Sequence, residues 1–209
     1  MCFSASASFI SGTILSSAGI ATVKKAKKKK ELPLALIPLL FGIQQLVEGL
    51  VWLSLNHGFL MLNTIATYSF VFFSHIFWPV FVPLAIYLIE PKKSNRRLIS
   101  VCIIIGAVVS FYALLLVILF PLSSTIVQES IRYSISNLTS PFFAVFYVIA
   151  TCGSCLLSSQ RLIKILGMAI LVSLMITYYF YTVTFASVWC FFAAILSLLI
   201  YLFFRQRKR

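Results

Sequence analysis

Long apolar runs separated by short basic clusters dominate this sequence, and they limit the folds open to it. Seven such runs are read, at roughly 3–23, 32–55, 62–89, 98–120, 142–158, 165–185 and 188–204. Each approaches the ~20 residues that a helix needs to cross a bilayer. Of the 209 residues 61% are hydrophobic and 10% charged, with mean hydropathy +1.06, which leaves too little polar side chain to coat a soluble domain. The runs are continuous rather than alternating, which excludes a transmembrane barrel. Lipid cannot satisfy stray backbone groups, so helices remain. The expected fold is one all-α integral membrane domain over 1–209, with seven transmembrane helices.

The basic clusters set the expected orientation. Lys24–Lys30, Lys92–Arg97, the pair Arg161 and Lys164, and Arg205–Arg209 all fall on one side of a seven-helix arrangement, and only Arg132 falls on the other. By the positive-inside rule the basic side is cytoplasmic, the N-terminus outside and the C-terminus inside. The first run has its charges after it, so it reads as a permanent anchor and not as a cleaved signal. The net charge of +13 is therefore topological, and no nucleic-acid partner is expected. Lys24, Lys25, Lys27, Lys28, Lys29 and Lys30 would attract anionic lipid headgroups, at roughly 1 kcal/mol each. Both halves carry a basic loop after their first helix, which suggests a 3+1+3 arrangement. Thr125–Leu138 places apolar residues on one helical face and reads as a short interfacial helix or a plain loop. Asn137-Leu-Thr139 matches a glycosylation acceptor.

Ionisable and polar groups inside apolar runs are the candidate site. In LLFGIQQLVEGLVW, Gln44, Gln45 and Glu48 share a helical face, flanked by Phe41 and Trp52. Glu48 lies about 10 Å along the helix from the outer end. In YSFVFFSHIFWPVFVPL, His75 shares a stripe with Tyr68 and Pro79, beside Trp78, with Pro79 and Pro83 offering a kink. His75 is deeper, about 20 Å from its outer end. His57 reads as a loop residue, and Glu129 with Arg132 as a local surface pair. Cys152-x-x-Cys155 sits in an apolar run and reads as packing, as does Cys102; Cys190 and Cys2 share the outer side and suit a disulfide. Removal of Met1 would leave Cys2 with an amine and a thiol able to bind a transition metal or act as a nucleophile. No lysine lies within a run, no Asp exists in the chain, and no HExxH, GxSxG or phosphate-binding loop occurs.

Three stretches, MCFSASASF, ELPLALIPLLFGIQQLVEGLVW and FWPVFVPLAIYLIEP, resemble a largely uncharacterised family of bacterial multi-pass membrane proteins. Its members begin Met-Cys-Phe-Ser-Ala, carry (His/Gln)-Gln-x-x-Glu in the second helix, and end the third with Trp-Pro…Glu-Pro. Position by position the pattern falls on Cys2, Ser4, Gln45, Glu48, Trp78, Pro79, Glu90 and Pro91, with Gln44 where many relatives have His. The resemblance implies a bacterial inner-membrane protein whose N-terminal half carries the site.

Three functions stay open. In the first, an outward-facing polar cavity binds or moves a small solute or ion, with Glu48 as proton or charge site, Gln44 and Gln45 orienting it, and His75, Tyr68, Trp52 and Trp78 around it. In the second, Cys2, Glu48 and His75 form an enzyme or metal centre. In the third, the polar stripe only joins helices of an accessory subunit. A homo-oligomer is compatible with each.

Overall fold

The computed structural model describes residues 4–127, 129–135 and 140–206. The chain runs through α1 (Ala5–Val23), a 3-10 turn (Lys29–Glu31) and α2 (Leu32–His57). Next come α3 (Leu60–Val71), a π-turn (Phe72–Phe77), α4 (Trp78–Ile89) and α5 (Lys93–Leu119). A hairpin of β1 (Ser123–Val127) and β2 (Ser130–Ser134) leads to α6 (Pro141–Val148), a second π-turn (Ile149–Gly153) and α7 (Ser154–Leu157). The chain then continues through α8 (Arg161–Phe180), a 3-10 turn (Thr182–Thr184), α9 (Phe185–Leu196) and α10 (Leu198–Gln206). Among the described residues six helical segments are long and apolar enough to cross a membrane: Ala5–Val23, Lys29–His57, Leu60–Ile89, Lys93–Leu119, Arg161–Phe180 and Thr182–Gln206. A seventh apolar segment, Pro141–Leu157, is shorter, about 25 Å at ~1.5 Å per residue. Among the described residues the regular structure is helical apart from the hairpin.

The hairpin corrects the reading of Thr125–Leu138 as an interfacial helix or plain loop; Asn137, Leu138 and Thr139 lie outside the described residues. Its strands pair antiparallel from Ser123↔Ser134 to Val127↔Ser130. Ile126, Val127, Ile131 and Tyr133 are β-branched or aromatic and fit a pleated surface, while Glu129 takes the left-handed backbone (φ 57) that a tight hairpin turn demands. β1 docks through Ser124, whose hydroxyl accepts from Asn63 Nδ2 at 2.9 Å and shares a 2.8 Å hydrogen bond with Thr67. In β2, Tyr133 stacks on Phe70 with centroids 4.4 Å apart, and Ile131 is fully buried.

Helix packing is close where small residues allow it. α1 and α2 run antiparallel along Gly12, Gly19, Gly42 and Gly49, and a Cβ on Gly19 would fall 2.3 Å from Leu39 N. α5 meets α4 at Gly106, where a Cβ would fall 1.8 Å from the Pro79 carbonyl oxygen. Pro79 has no N–H, and its ring cannot sit over the carbonyl four residues back, so the helix widens into the π-turn just before it. The loosened carbonyls find other donors: Tyr147 Oη donates to Ser74 O at 2.6 Å, and Ser110 Oγ to Ile76 O at 2.6 Å. At the second π-turn the hydroxyls of Thr151 within it and of Ser154, which opens α7, donate back to Tyr147 O and Thr151 O, a pattern that bends helices.

The basic clusters gather at one end of the bundle, where Lys25 Nζ lies 5.2 Å from the Tyr201 ring centroid. α5 begins at Lys93, so that basic cluster forms its first turns instead of a loop. Two carboxylates hold this end. Glu31 Oε2 accepts the N–H groups of Lys27 at 3.0 Å and Lys28 at 3.2 Å. Glu90, 3% exposed, joins the end of α4 to the α7–α8 turn. Its Oε1 accepts the Ser159 hydroxyl at 2.6 Å and the Lys92 N–H at 3.2 Å, and its Oε2 the Ser159 N–H at 2.8 Å and the Ser158 hydroxyl at 2.9 Å. Burial pushes this carboxyl up, but the hydrogen bonds from Ser159, Lys92 and Ser158 outweigh it and hold it below the usual carboxylate range.

Candidate functional site

The buried face of α2 carries Phe41, Gln44, Gln45, Glu48 and Trp52. Gln44, Gln45 and Glu48 have no exposed surface. Glu48 lies about 14 Å of helix from the end opposite the basic clusters, counting nine residues to His57 at ~1.5 Å each. Its Oε1 accepts the Ser187 hydroxyl at 2.5 Å and its Oε2 the Gln45 amide at 3.3 Å. Gln45 Oε1 receives the Ser11 hydroxyl at 3.5 Å. The carboxyl thus ties α2 to α9 directly and to α1 through Gln45. Hydroxyl and amide dipoles such as these two serve either protonation state of a carboxyl.

Gln44 faces α4. Trp78 Nε1 donates to Gln44 Oε1 at 2.6 Å. An indole N–H can only donate, so the amide oxygen must turn towards it and the amide nitrogen away. That nitrogen is buried with no hydrogen-bond partner among the described residues. The Cys190 thiol on α9 is a near neighbour of both the Gln44 side chain and Glu48. Trp78 itself stacks on Phe41, centroids 4.0 Å apart at 19°. Below this layer, towards the basic end, lies an apolar cavity of about 60 Å³, lined by Phe41, Trp78, Tyr147, Cys152, Trp189 and Cys190 among others. The polar residues of α2 are packed against other helices, and the space beside them is apolar. Ser187, Ser11 and Trp78 are hydrogen-bond partners of Glu48, Gln45 and Gln44 in this arrangement.

Of the residues singled out in the sequence, Glu48, Gln45, Gln44 and Trp78 therefore meet in one layer. Trp52 lies one turn beyond Glu48, 5% exposed, in a cluster with Val51, Ala66 and Ile131. His75 lies elsewhere, in the π-turn, with Nδ1 2.7 Å from Ser74 Oγ and its ring stacked on Phe143 of α6. Tyr68 is 38% exposed on the outside of α3. Cys2 lies outside the described residues, with its suggested disulfide to Cys190. Among the described residues no three His, Cys, Asp or Glu side chains gather as a metal site would need. Cys102, Cys152, Cys155 and Cys190 are free and buried, as the packing reading of the first three expects. Lys28, Lys29 and Lys30 are exposed at the basic end, and Lys24 forms the end of α1. Ser187 and Ser11 were not singled out. Each is one of many serines in apolar surroundings, with no local signal that it meets a carboxyl.

The sequence profile of a family of unknown function, DUF6629, matches residues 1–209. No curated protein and no solved structure matches the chain. The chain belongs to the DUF6629 family.

Proposed function

We propose that this chain is an integral membrane protein of seven spans, N-terminus outside and C-terminus cytoplasmic, in a bacterial inner membrane. It binds or moves a small solute or ion, with Glu48 as its proton or charge site. The observation that carries this reading is the Glu48 carboxyl, fully buried within a helix long and apolar enough to cross a bilayer. An ionisable group at such depth is expensive and is kept for function. The outward faces of the helices support a lipid environment: on α5, Ile104, Val108 and Ile118 are 65%, 65% and 69% exposed. The gathering of basic residues at one end supports the orientation. The hairpin then covers the outer end of the bundle, and the packed Glu48 layer is the occluded state of the site.

The metal or enzyme reading draws less support, since His75 and Glu48 have separate surroundings. Helix joining alone remains the competitor, and Glu48→Gln in reconstituted lipid separates the two. Infrared titration of the wild type should show a carboxylic-acid carbonyl band that Glu48→Gln removes. Potential-driven proton uptake by proteoliposomes should fall with it. A Glu48→Gln variant that loses thermal stability, with no titrating band in the wild type, would establish the joining role instead.

A further inference from the structure

At the basic end of the bundle Lys25 and Arg96 are half-buried, while the other described cations are exposed. Each lies on a tyrosine ring: Lys25 Nζ is 5.2 Å from the Tyr201 centroid, and the Arg96 guanidinium carbon is 4.6 Å from that of Tyr87. Arg96 is the fourth residue of α5 and Tyr87 lies two residues before the end of α4, so the pair straddles the α4–α5 turn. Arg96 Nε is buried, and the guanidinium makes no hydrogen bond or ion pair among the described residues. Its Nη nitrogens are not among the buried orphans, so the inner edge of the fork is packed in place and the outer edge is open. The carboxylate nearest in sequence, Glu90, is committed to Ser158, Ser159 and the Lys92 N–H. Lys92, Lys93 and Arg97 flank Arg96 in the chain and are exposed.

A guanidinium is always charged, and half-burying one without an acceptor is costly unless an anion meets its open edge. Stacking on a ring holds the fork in one plane, so less freedom is lost when it binds. Side chains of a helix tilt towards its N-terminus, so the fork leans over the first turn of α5, where no side chain caps the backbone. Planar and doubly donating, it matches two oxygens of a phosphodiester. We propose that Arg96, seated on Tyr87, binds the phosphodiester headgroup of an anionic phospholipid in the leaflet at the basic end. A tyrosine at the end of a span is an interfacial ring, at the level of the headgroups. Ile104 and Phe111 share the Arg96 stripe of α5 and face outward, which gives the acyl chains a path along the bundle. Lys25, a point charge on a flexible stem, lacks the fork. The site needs the chain to lie in a bilayer, as the proposed function does, and is independent of the role of Glu48.

The test is native mass spectrometry of the full chain from phosphatidylcholine nanodiscs doped with phosphatidylglycerol, read as the apparent Kd for retained phosphatidylglycerol. Arg96→Lys keeps the charge, and with it any diffuse attraction to the leaflet, but loses the fork. It should weaken retention by about tenfold, the scale of one lost hydrogen bond to a charged group. Arg97→Lys, at an exposed neighbour, should leave retention unchanged. Tyr87→Leu alters no charge and should weaken it by about two- to fivefold, the scale of an exposed cation–π contact. Equal retention in Arg96→Lys and Arg97→Lys would overturn the site and leave diffuse attraction alone. Inorganic phosphate should not displace the lipid; displacement would assign the guanidinium to free phosphate and overturn the lipid. Glu48→Gln should leave retention unchanged, which keeps this site apart from the fate of the proton reading. A chain that does not enter nanodiscs would overturn the membrane reading and the site together.

Discussion

Glu90→Ala should be the most damaging single change at the basic end of the bundle. Four donors converge on its carboxylate, two on each oxygen, from Ser158, Ser159 and Lys92. Without it the half-buried Ser159 hydroxyl can turn towards water, but the buried Ser158 hydroxyl and the N–H groups of Ser159 and Lys92 lose their acceptor. Hydrogen bonds to charged groups are worth ~1.5–3 kcal/mol each, and nearness to water at a bundle end reduces that, for a net loss of ~2–4 kcal/mol. For a chain of this size that is a fall of roughly 5–15 °C in Tm. Glu90→Gln should lose less, ~1–2 kcal/mol, because its NH2 can face the Ser159 hydroxyl, which can turn to accept. Unfolding in detergent can be followed with a maleimide dye that reports exposure of the buried thiols of Cys102, Cys152, Cys155 and Cys190. The pH dependence has a definite sign. Glu90 titrates below its unfolded value, so its contribution is complete above the unfolded pKa and is lost as pH falls through the folded one. The stability gap between wild type and Glu90→Gln should therefore close on acidification. An alanine variant that melts with the wild type, or a gap indifferent to acid, would refute the clamp.

Gly106→Ala should destabilise by ~1–3 kcal/mol or more, because its Cβ would lie 1.8 Å from the Pro79 carbonyl oxygen and α4 must retreat. The ~1 kcal/mol gain in helix propensity does not offset that. Gly153→Ala, whose Cβ would meet only Ile149 Cγ2 at 3.9 Å, should be neutral or stabilising in the same thermal assay. Trp78→Phe keeps an aromatic ring on Phe41 but removes the donor to Gln44 Oε1, at a cost of ~1–3 kcal/mol for an unanswered buried amide. Adding Gln44→Leu to Trp78→Phe should then restore part of that loss in a double-mutant cycle, and strict additivity would count against the pairing.

The helices were legible because their signal is carried by composition over whole runs, which no local contact can override. The hairpin was not, because Ile126, Val127, Ile131 and Ile135 satisfy a helical face and a strand pair equally well as bare spacings. What decides between them is tertiary: Ser124 meeting Asn63 and Thr67, and Tyr133 lying on Phe70. The stripe of Tyr68, His75 and Pro79 failed for a different reason. A π-turn inserts an extra residue into the helical repeat, so side chains beyond it no longer keep the three-and-four spacing of those before. His75 sits inside that turn and points to Phe143. Pro79 was visible as a source of irregularity, but its direction was not.

The same contrast runs through the site. The face shared by Gln44, Gln45 and Glu48 follows from spacing within one regular helix, and it holds. Their partners Ser187, Trp78 and Ser11 lie 139, 34 and 34 residues away along the chain, where no periodicity reaches. Those partners differ in kind on the two sides of α2. A hydroxyl from α9 and, through Gln45, one from α1 meet the Glu48 side of the layer, whereas an indole backed by a phenyl ring closes the Gln44 side. A carboxyl between two polar faces would serve as well for joining helices as for titrating. In the proposed reading, one set between hydrogen-bonding groups and an apolar floor would take up a proton from a single side, an asymmetry that joining helices does not require.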